Sequence, residues 1–377
     1  MTRRSIVASA LVSLLFFSAG CGATSAPARP VAARPAPSTA AASPLFASHA
    51  TKVAEGIYAF IAPESQTGLV TGNSAVIVGD DGALVVDTGK FPSLARAQIE
   101  EIRRLTPQPV RYVVTTHWHG DHHFGNQAYR EAYPGVVFVG HTETRRLALA
   151  HCPEGIEQQR RTGALLEQFR AIERTGTVDG KPIDDDDRRM LGPSIHALED
   201  TLGDSEVQLV PTALTFERAL TLHLGAREVR LLHLGRGNTA GDVVVQVPDA
   251  RVVATGDLVV NPTPYGIGSY PAEWAASLRE LEALGATSLI PGHGPVEHDT
   301  SYVETLIGLI DAVRTQVQGA VRDGLSLEEV RKRVDLAAWR RRLAGEDFFR
   351  GVAFDTFFVD PFVARAYQEA KGKLEDE

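Results

Sequence analysis

Cysteine is nearly missing from this chain: 377 residues carry two, Cys21 and Cys152, one of them close behind an N-terminal apolar run. No disulfide is therefore expected, and an oxidising compartment would not stabilise the fold through sulfur. A basic stripe is also lacking. Net charge is −9, and no run interleaves arginine with aromatic residues, which argues against a nucleic-acid partner. Nor does any apolar run suffice to cross a bilayer; Ile6–Phe17 is too short. No repeat recurs at solenoid-like periods. Between Gly22 and Pro44 the only branched aliphatic is Val31, so that stretch cannot build a core and reads as a tether.

What is present begins with targeting. Arg3 and Arg4 precede Ile6–Phe17, the pattern of a secretory signal. Ser18-Ala19-Gly20-Cys21 resembles a bacterial lipoprotein processing site, with serine where such sites usually have leucine, so ordinary signal cleavage stays open. Thr2-Arg3-Arg4-Ser5-Ile6 loosely resembles a twin-arginine signal. The expected location is the periplasm or cell envelope. Membrane contact would come only through a lipid anchor on Cys21.

The body of the chain has a hydrophobic fraction of 44%, suited to a packed globule, and a length that allows one large domain with additions or two domains. Strands are expected at 56–61, 72–78, 83–86, 110–114 and 136–139, with a helix over 92–105. Residues 154–174 and 187–201 are charged at helical spacing and read as an insertion roofing the site. Short strands resume at 214–216, 220–224, 228–234, 243–247 and 252–254, followed by a helix over 272–284 and a strand at 288–290. From Tyr302 onward the pattern is helical, with Ser326 as N-cap of the segment starting at Leu327. Asp184–Asp187 lacks the interspersed glycine and glutamate of a calcium loop and reads as a solvated charge run.

Chemistry concentrates in Thr116-His117-Trp118-His119-Gly120-Asp121-His122. It follows a strand-like run, so it falls on a loop at the strand's carboxyl end. His117 and His119, two apart in extended chain, project to one side and can close on one ion. Gly120 lets the chain turn and aim Asp121 and His122 at a neighbouring point. Imidazole and carboxylate suit zinc, and also iron or manganese. His123 adds nothing to that pattern and is expected at the surface or in support. Cys152 stands outside every metal segment and is expected to be an idle, buried thiol.

This motif resembles the signature of the metallo-β-lactamase superfamily, and four further segments fall in the family's order. Asn73–Gly89 resembles its hairpin, ending in Asp87, which supports the metal loop. Gly237-Asn238-Thr239-Ala240-Gly241-Asp242 resembles the segment that normally supplies a histidine, Ala254-Thr255-Gly256-Asp257 the strand end with a metal-bridging aspartate, and Pro291-Gly292-His293-Gly294 the last ligand loop. The resemblance implies an α+β fold, a four-layer αββα sandwich with a helical insertion and a helical C-terminal tail. The implied organisation is a signal peptide over 1–21, an Ala/Pro-rich linker over 22–44, the catalytic domain over 45–300 and a helical extension over 301–377.

The implied metal residues are His117, His119, Asp121, His122, Asp257 and His293, holding one or two zinc ions. The departure is Asn238, an amide where the family has imidazole. Its oxygen coordinates weakly, or water fills the place, or His233 substitutes. Unequal occupancy is expected, with the Asp121/His122/His293 ion the tighter. Tyr265, Tyr270 and Trp274 either line a pocket or pack under a loop, and Arg236 either meets an anionic substrate or is solvated.

The implied activity is hydrolysis of a small acyl substrate, an ester, thioester, lactone or β-lactam, by metal-bound hydroxide, with Asp121 catalytic in orienting or deprotonating the attacking water. Two other classes stay open: an iron enzyme of oxygen or persulfide chemistry on the same scaffold, and an envelope binding protein impaired by Asn238.

Overall fold

In the computed structural model, residues 44–67, 70–204 and 207–376 are described. The expected signal segment and all of the linker but Pro44 lie outside them. Among the described residues no helix is long and apolar enough to cross a membrane.

The first half runs β1 (Ala50–Ala54), β2 (Ile57–Phe60), β3 (Ser74–Val78), β4 (Ala83–Val86), α1 (Pro92–Leu105), β5 (Val110–Thr115), α2 (Gly120–His123), α3 (Asn126–Ala132) and β6 (Val137–His141). Three helices follow, α4 (Thr142–Arg160), α5 (Thr162–Thr175) and α6 (Asp185–Thr201), with a two-stranded ribbon, β7 (Thr177–Val178) and β8 (Lys181–Pro182), before the last. β9 (Leu214–Phe216) then completes a seven-stranded sheet ordered β1-β2-β3-β4-β5-β6-β9. The second half contributes β10 (Ala219–Leu224), β11 (Arg227–Leu232), β12 (Val244–Val247), β13 (Val252–Val260), α7 (Pro271–Ala283) and β14 (Ser288–His293), whose strands form a sheet in sequence order. The chain ends in α8 (Ser301–Arg322), α9 (Leu327–Arg333), α10 (Ala337–Ala344), α11 (Phe348–Ala353), a π-helical stretch over Phe354–Val359, and α12 (Asp360–Ala370).

Alternation of apolar residues along the strands makes this a sandwich. Ile57, Ala75, Ile77, Leu84, Val86 and Val114 of the first sheet meet Leu224, Val229, Leu231, Val245 and Ala254 of the second in one buried layer. The opposite face of the first sheet, through Val76, Val85 and Val113, receives Ile99 and Ile102 of α1 and Tyr129 of α3. Val244 and Val253 of the second sheet turn to α7, α8 and the C-terminal helices, packed through Trp274, Leu306, Ile310 and Phe358. The layering is αββα, as expected.

Sheet order places the chemistry. β4 pairs with β5 in parallel, and β13 with β14 in parallel, so Asp87, the 116–122 loop and His293 arise at strand carboxyl ends; β13 runs on past the expected 254 to Val260, which leaves Asp257 inside the strand, where its register with β14 shifts. α4 packs Leu147, Ala148, Cys152 and Ile156 against Trp118 and Phe124 of the metal loop, while α5 and α6 pack on each other through Leu166, Phe169, Leu191 and Leu198, with Phe348 and Phe349 against them. Asp184 caps α6 by accepting from Asp187 N, and Asp187 is buried. The four carboxylates are thus a helix start rather than a wholly solvated run. Ser326 and Glu329 form a reciprocal capping box at α9.

Candidate metal centre

Six side chains that lie up to 176 positions apart, from His117 to His293, converge in the structure. Two groups of three place their donor atoms within 4.8 Å of one another: His117, His122 and Asp257, and Asp121, His122 and His293. All are buried. His122 is common to both. Its Nε2 lies 3.1 Å from Asp257 Oδ1, 3.2 Å from His293 Nε2 and 3.6 Å from Asp121 Oδ2. His293 Nε2 in turn lies 3.2 Å from Asp121 Oδ2. His119 falls outside both groups of three, but its Nδ1 is 3.0 Å from His117 Nε2, so the two rings face each other as their spacing predicts.

Asp87 orients rings on both sides of this cluster. It accepts from His122 Nδ1 at 2.8 Å, from Thr116 N at 2.8 Å and from the Thr116 hydroxyl at 2.7 Å. With its proton given to Asp87, the Thr116 oxygen can only accept from His117 Nδ1, 3.0 Å away. Both imidazoles therefore carry hydrogen at Nδ1 and can turn an Nε2 lone pair inward, the arrangement that prepares histidine for a cation. Asp87 sits at φ 55, a left-handed conformation that aspartate tolerates better than most residues and that turns the chain out of β4.

The His293 loop is held from β3. Asn73 Nδ2 donates to Pro291 O and Gly294 O, each at 2.9 Å, while Asn73 Oδ1 accepts from Ala62 N at 2.8 Å. Gly72 must remain small, since a Cβ there would come within 2.5 Å of the His122 ring.

Asn238 is wholly buried and its amide is oriented by donation from Nδ2 to Tyr265 O at 2.6 Å. That leaves Oδ1 as the free end, and it has no hydrogen-bond partner among the described residues. An orphaned buried amide oxygen, together with imidazoles and carboxylates that converge on one locus, is what a cation would satisfy, so the residues present fit a metal ion. The Asn238 turn is braced by Asp242, which accepts from Thr239 N at 2.9 Å and Thr239 Oγ1 at 2.6 Å. Burial raises the Asp242 carboxyl to about 7, the Thr239 bonds working against that rise.

Charge is strongly redistributed in the metal-free chain. Burial lowers His117 well below its usual value, helped by repulsion from His122, and lowers His119 to about 4. His122 moves the other way: burial lowers it, but Asp257, Asp121 and Asp87 outweigh burial and hold it protonated. Asp121 and Asp257 are opposed by burial yet end below the usual carboxylate range, chiefly because of His122. A proton on His122 thus stands where a cation would.

Several side chains take one of the places left open for them. His233 is no substitute ligand: its ring stacks on His141 at 4.1 Å and its Nδ1 donates to Asp242 O at 2.8 Å. Arg236 is partly solvated and already engaged: it forks onto Glu273, reaches Asp376 and covers the Tyr270 ring. Trp274 is core, its Nε1 donating to Leu258 O at 3.1 Å, and Tyr270 is buried with it. Tyr265 does line a cavity and meets the His293 ring edge-on at 5.2 Å. His123 is buried and supports the loop through Trp118 O at 2.8 Å. The Cys152 thiol donates to the same carbonyl at 3.3 Å, and burial raises it far out of the reactive range.

Residues that the sequence reading passed over include Thr116 as an intermediary, Asn73 as a brace and Asp242 under the Asn238 turn. Asp242 lies three residues after Thr239, a spacing that suits a side chain closing its own turn. For Asn73 as a brace of the His293 loop no local signal exists, because the two carbonyls it holds there lie 218 and 221 positions away.

The family model described as the metallo-beta-lactamase superfamily matches residues 67–293. The chain belongs to this superfamily. The superfamily member "Linear primary-alkylsulfatase" of Pseudomonas sp. (strain ATCC 19151) is 27% identical over 276 residues, covering 69% of this chain and 49% of that protein. The chain thus spans about half the length of that curated relative. Among solved structures, a metallo-beta-lactamase from Pontibacter korlensis aligns with a TM-score of 0.49 and 20% identity, over 70% of this chain and 99% of the other. FIM-1 from Pseudomonas aeruginosa, in its mono-zinc form, aligns at 0.47 and 18%, over 70% and 95%. The superfamily includes hydrolases and binds metals.

Proposed function

We propose that this protein is a zinc-dependent hydrolase that attacks the acyl carbonyl of an ester, thioester, lactone or β-lactam. The observation that carries this reading is the convergence of Asp121, His122 and His293 with His117 and Asp257 around one buried locus. His117 and His119, with Asp257 and the Asn238 oxygen, would hold one ion; Asp121, His122 and His293, with Asp257 between, would hold the other. A bound zinc ion supplies water acidic enough to give hydroxide near neutral pH. Asp121, a buried carboxylate within that set, would orient the attacking water and accept its proton. Asp87 holds His122 directly and His117 through Thr116, so the donors keep their aim as charge moves.

Elemental analysis of natively purified protein, coupled to a panel of chromogenic esters, thioesters and a cephalosporin, tests the reading. Zinc with turnover of at least one acyl substrate is expected. Iron in its place, or metal-loaded protein inert to the whole panel, overturns it.

A second reading, hydrolysis of a sulfate ester, is favoured by one observation, the match to the alkylsulfatase. Release of sulfate from an alkyl sulfate, with no turnover of carboxylic esters, would select it. From the basic pair and apolar run at the N-terminus we also propose export to the envelope, with Cys21 as lipid attachment. Cell fractionation of wild type and Cys21→Ala tests this: wild type is expected with the membranes and the variant free in the periplasm. Identical soluble distribution counts against the anchor.

A further inference from the structure

Next to His293 the structure opens a cavity of about 360 Å³, between the segment that follows β2 and the far C-terminal helices. Its inner end is Tyr265 and His293, and its outer wall is Phe349, Ala353 and Phe357, contributed by α11 and the π-helical stretch. Ile61, Val70 and Val260 add further apolar surface. Arg350 is the one arginine among the described lining residues, with no lysine beside it, and both its Nε and Nη2 engage the Glu64 carboxylate, at 2.6 and 2.7 Å. The mouth is therefore internally neutralised. A charged arm entering there would have to break that pair, whereas an apolar arm would replace water on Phe349, Phe357 and Val260.

Of the six converging side chains, His293 alone lines this cavity; His117 and His119 do not. In hydrolysis the attacking oxygen bonds to the acyl carbon, the bond to the leaving oxygen breaks, and that oxygen takes up a proton, giving an acid and an alcohol. Resting on the hydrolase reading above, we propose that the cavity holds the leaving group, and that the C-terminal wall selects substrates releasing an uncharged, apolar alcohol. Carboxylic and sulfate esters share this product, so the selection applies to either acid half.

Straight-chain primary alcohols from propanol to decanol, titrated calorimetrically into the purified protein, read the cavity without turnover. Affinity is expected to rise about fourfold per methylene until the space is full, and then to level off. Ala353→Phe narrows the cavity and should bring the plateau to shorter alcohols with zinc content unchanged; Phe357→Ala should extend it to longer ones, so that one variant suffices if the other fails to fold. Two ester series complete the test, acetates of lengthening alcohols and ethyl esters of lengthening acids, with alkyl sulfates run in parallel to separate the acid halves. Dependence of kcat/KM on alcohol length alone supports the assignment. Dependence on acid length instead, or alcohol binding indifferent to length, overturns it. Length-dependent alcohol binding with no turnover of any series supports the cavity while refuting hydrolysis.

Discussion

On the Asp121–His122–His293 side of the metal centre, scaffold residues fix the donors: His122 donates to Asp87, and the His293 loop is tied to Asn73. On the His117–His119 side, the position where the family places an imidazole holds Asn238, whose oxygen is buried without a partner. The first side is held by hydrogen bonds from the scaffold; the second contains a buried amide oxygen without a hydrogen-bond partner. The difference teaches that preorganisation and donor strength are separate variables. Asp87 reaches both sides, yet only one of them has its full set of strong donors.

Removing a donor from the stronger side should have the largest effect. Asp121→Ala or His293→Ala is expected to lower kcat/KM by about a thousandfold or more, with loss of an ion by elemental analysis. Turnover like wild type in both variants would falsify the assignment. Asp87→Asn comes next: it should weaken zinc binding by about 10- to 100-fold in a competition titration, and on both sides, because His122 and His117 share that carboxylate. Weakening confined to one ion would show that the link through Thr116 carries no coupling.

Asn238→His should erase much of the asymmetry, tightening the weaker ion by about tenfold and raising bound zinc under limiting metal. An unchanged stoichiometry across the titration would mean that the amide is not what limits the site. The smallest effect concerns protons. Since His122 is raised and protonated in the metal-free chain, zinc binding at neutral pH should release about one proton, seen as a dependence of binding heat on buffer. The sign is fixed: release fades as pH rises through the raised His122 value, because the proton has already left. His119, lowered to about 4, contributes none at neutral pH.

Much of this architecture was legible in the sequence where the signal is local. Residues 92–105 carry helical periodicity and form α1 with those bounds, and β4, β9 and the Ser326 cap fall where their patterns place them. The αββα layering and the segments that converge were legible through resemblance. Short or weakly patterned elements were not. β1, with two exposed residues and no buried one among its five, gives no alternation to read, and the β7–β8 ribbon is two residues per strand. Arg236 looked available because its partners, Glu273 and Asp376, are 37 and 140 positions away. The cavity wall was hidden for the same reason: nothing near Phe349 or Phe357 announces that it will face Ile61 and His293.

That distance in sequence has an evolutionary corollary. The atoms that would cut the bond are encoded between positions 87 and 293, while one wall of the surface that would choose the molecule is encoded some sixty residues later. Exchanging the stretch from Phe348 to Val359 between homologues could retune preference without disturbing a single donor, so reactivity and taste in this lineage are free to drift apart.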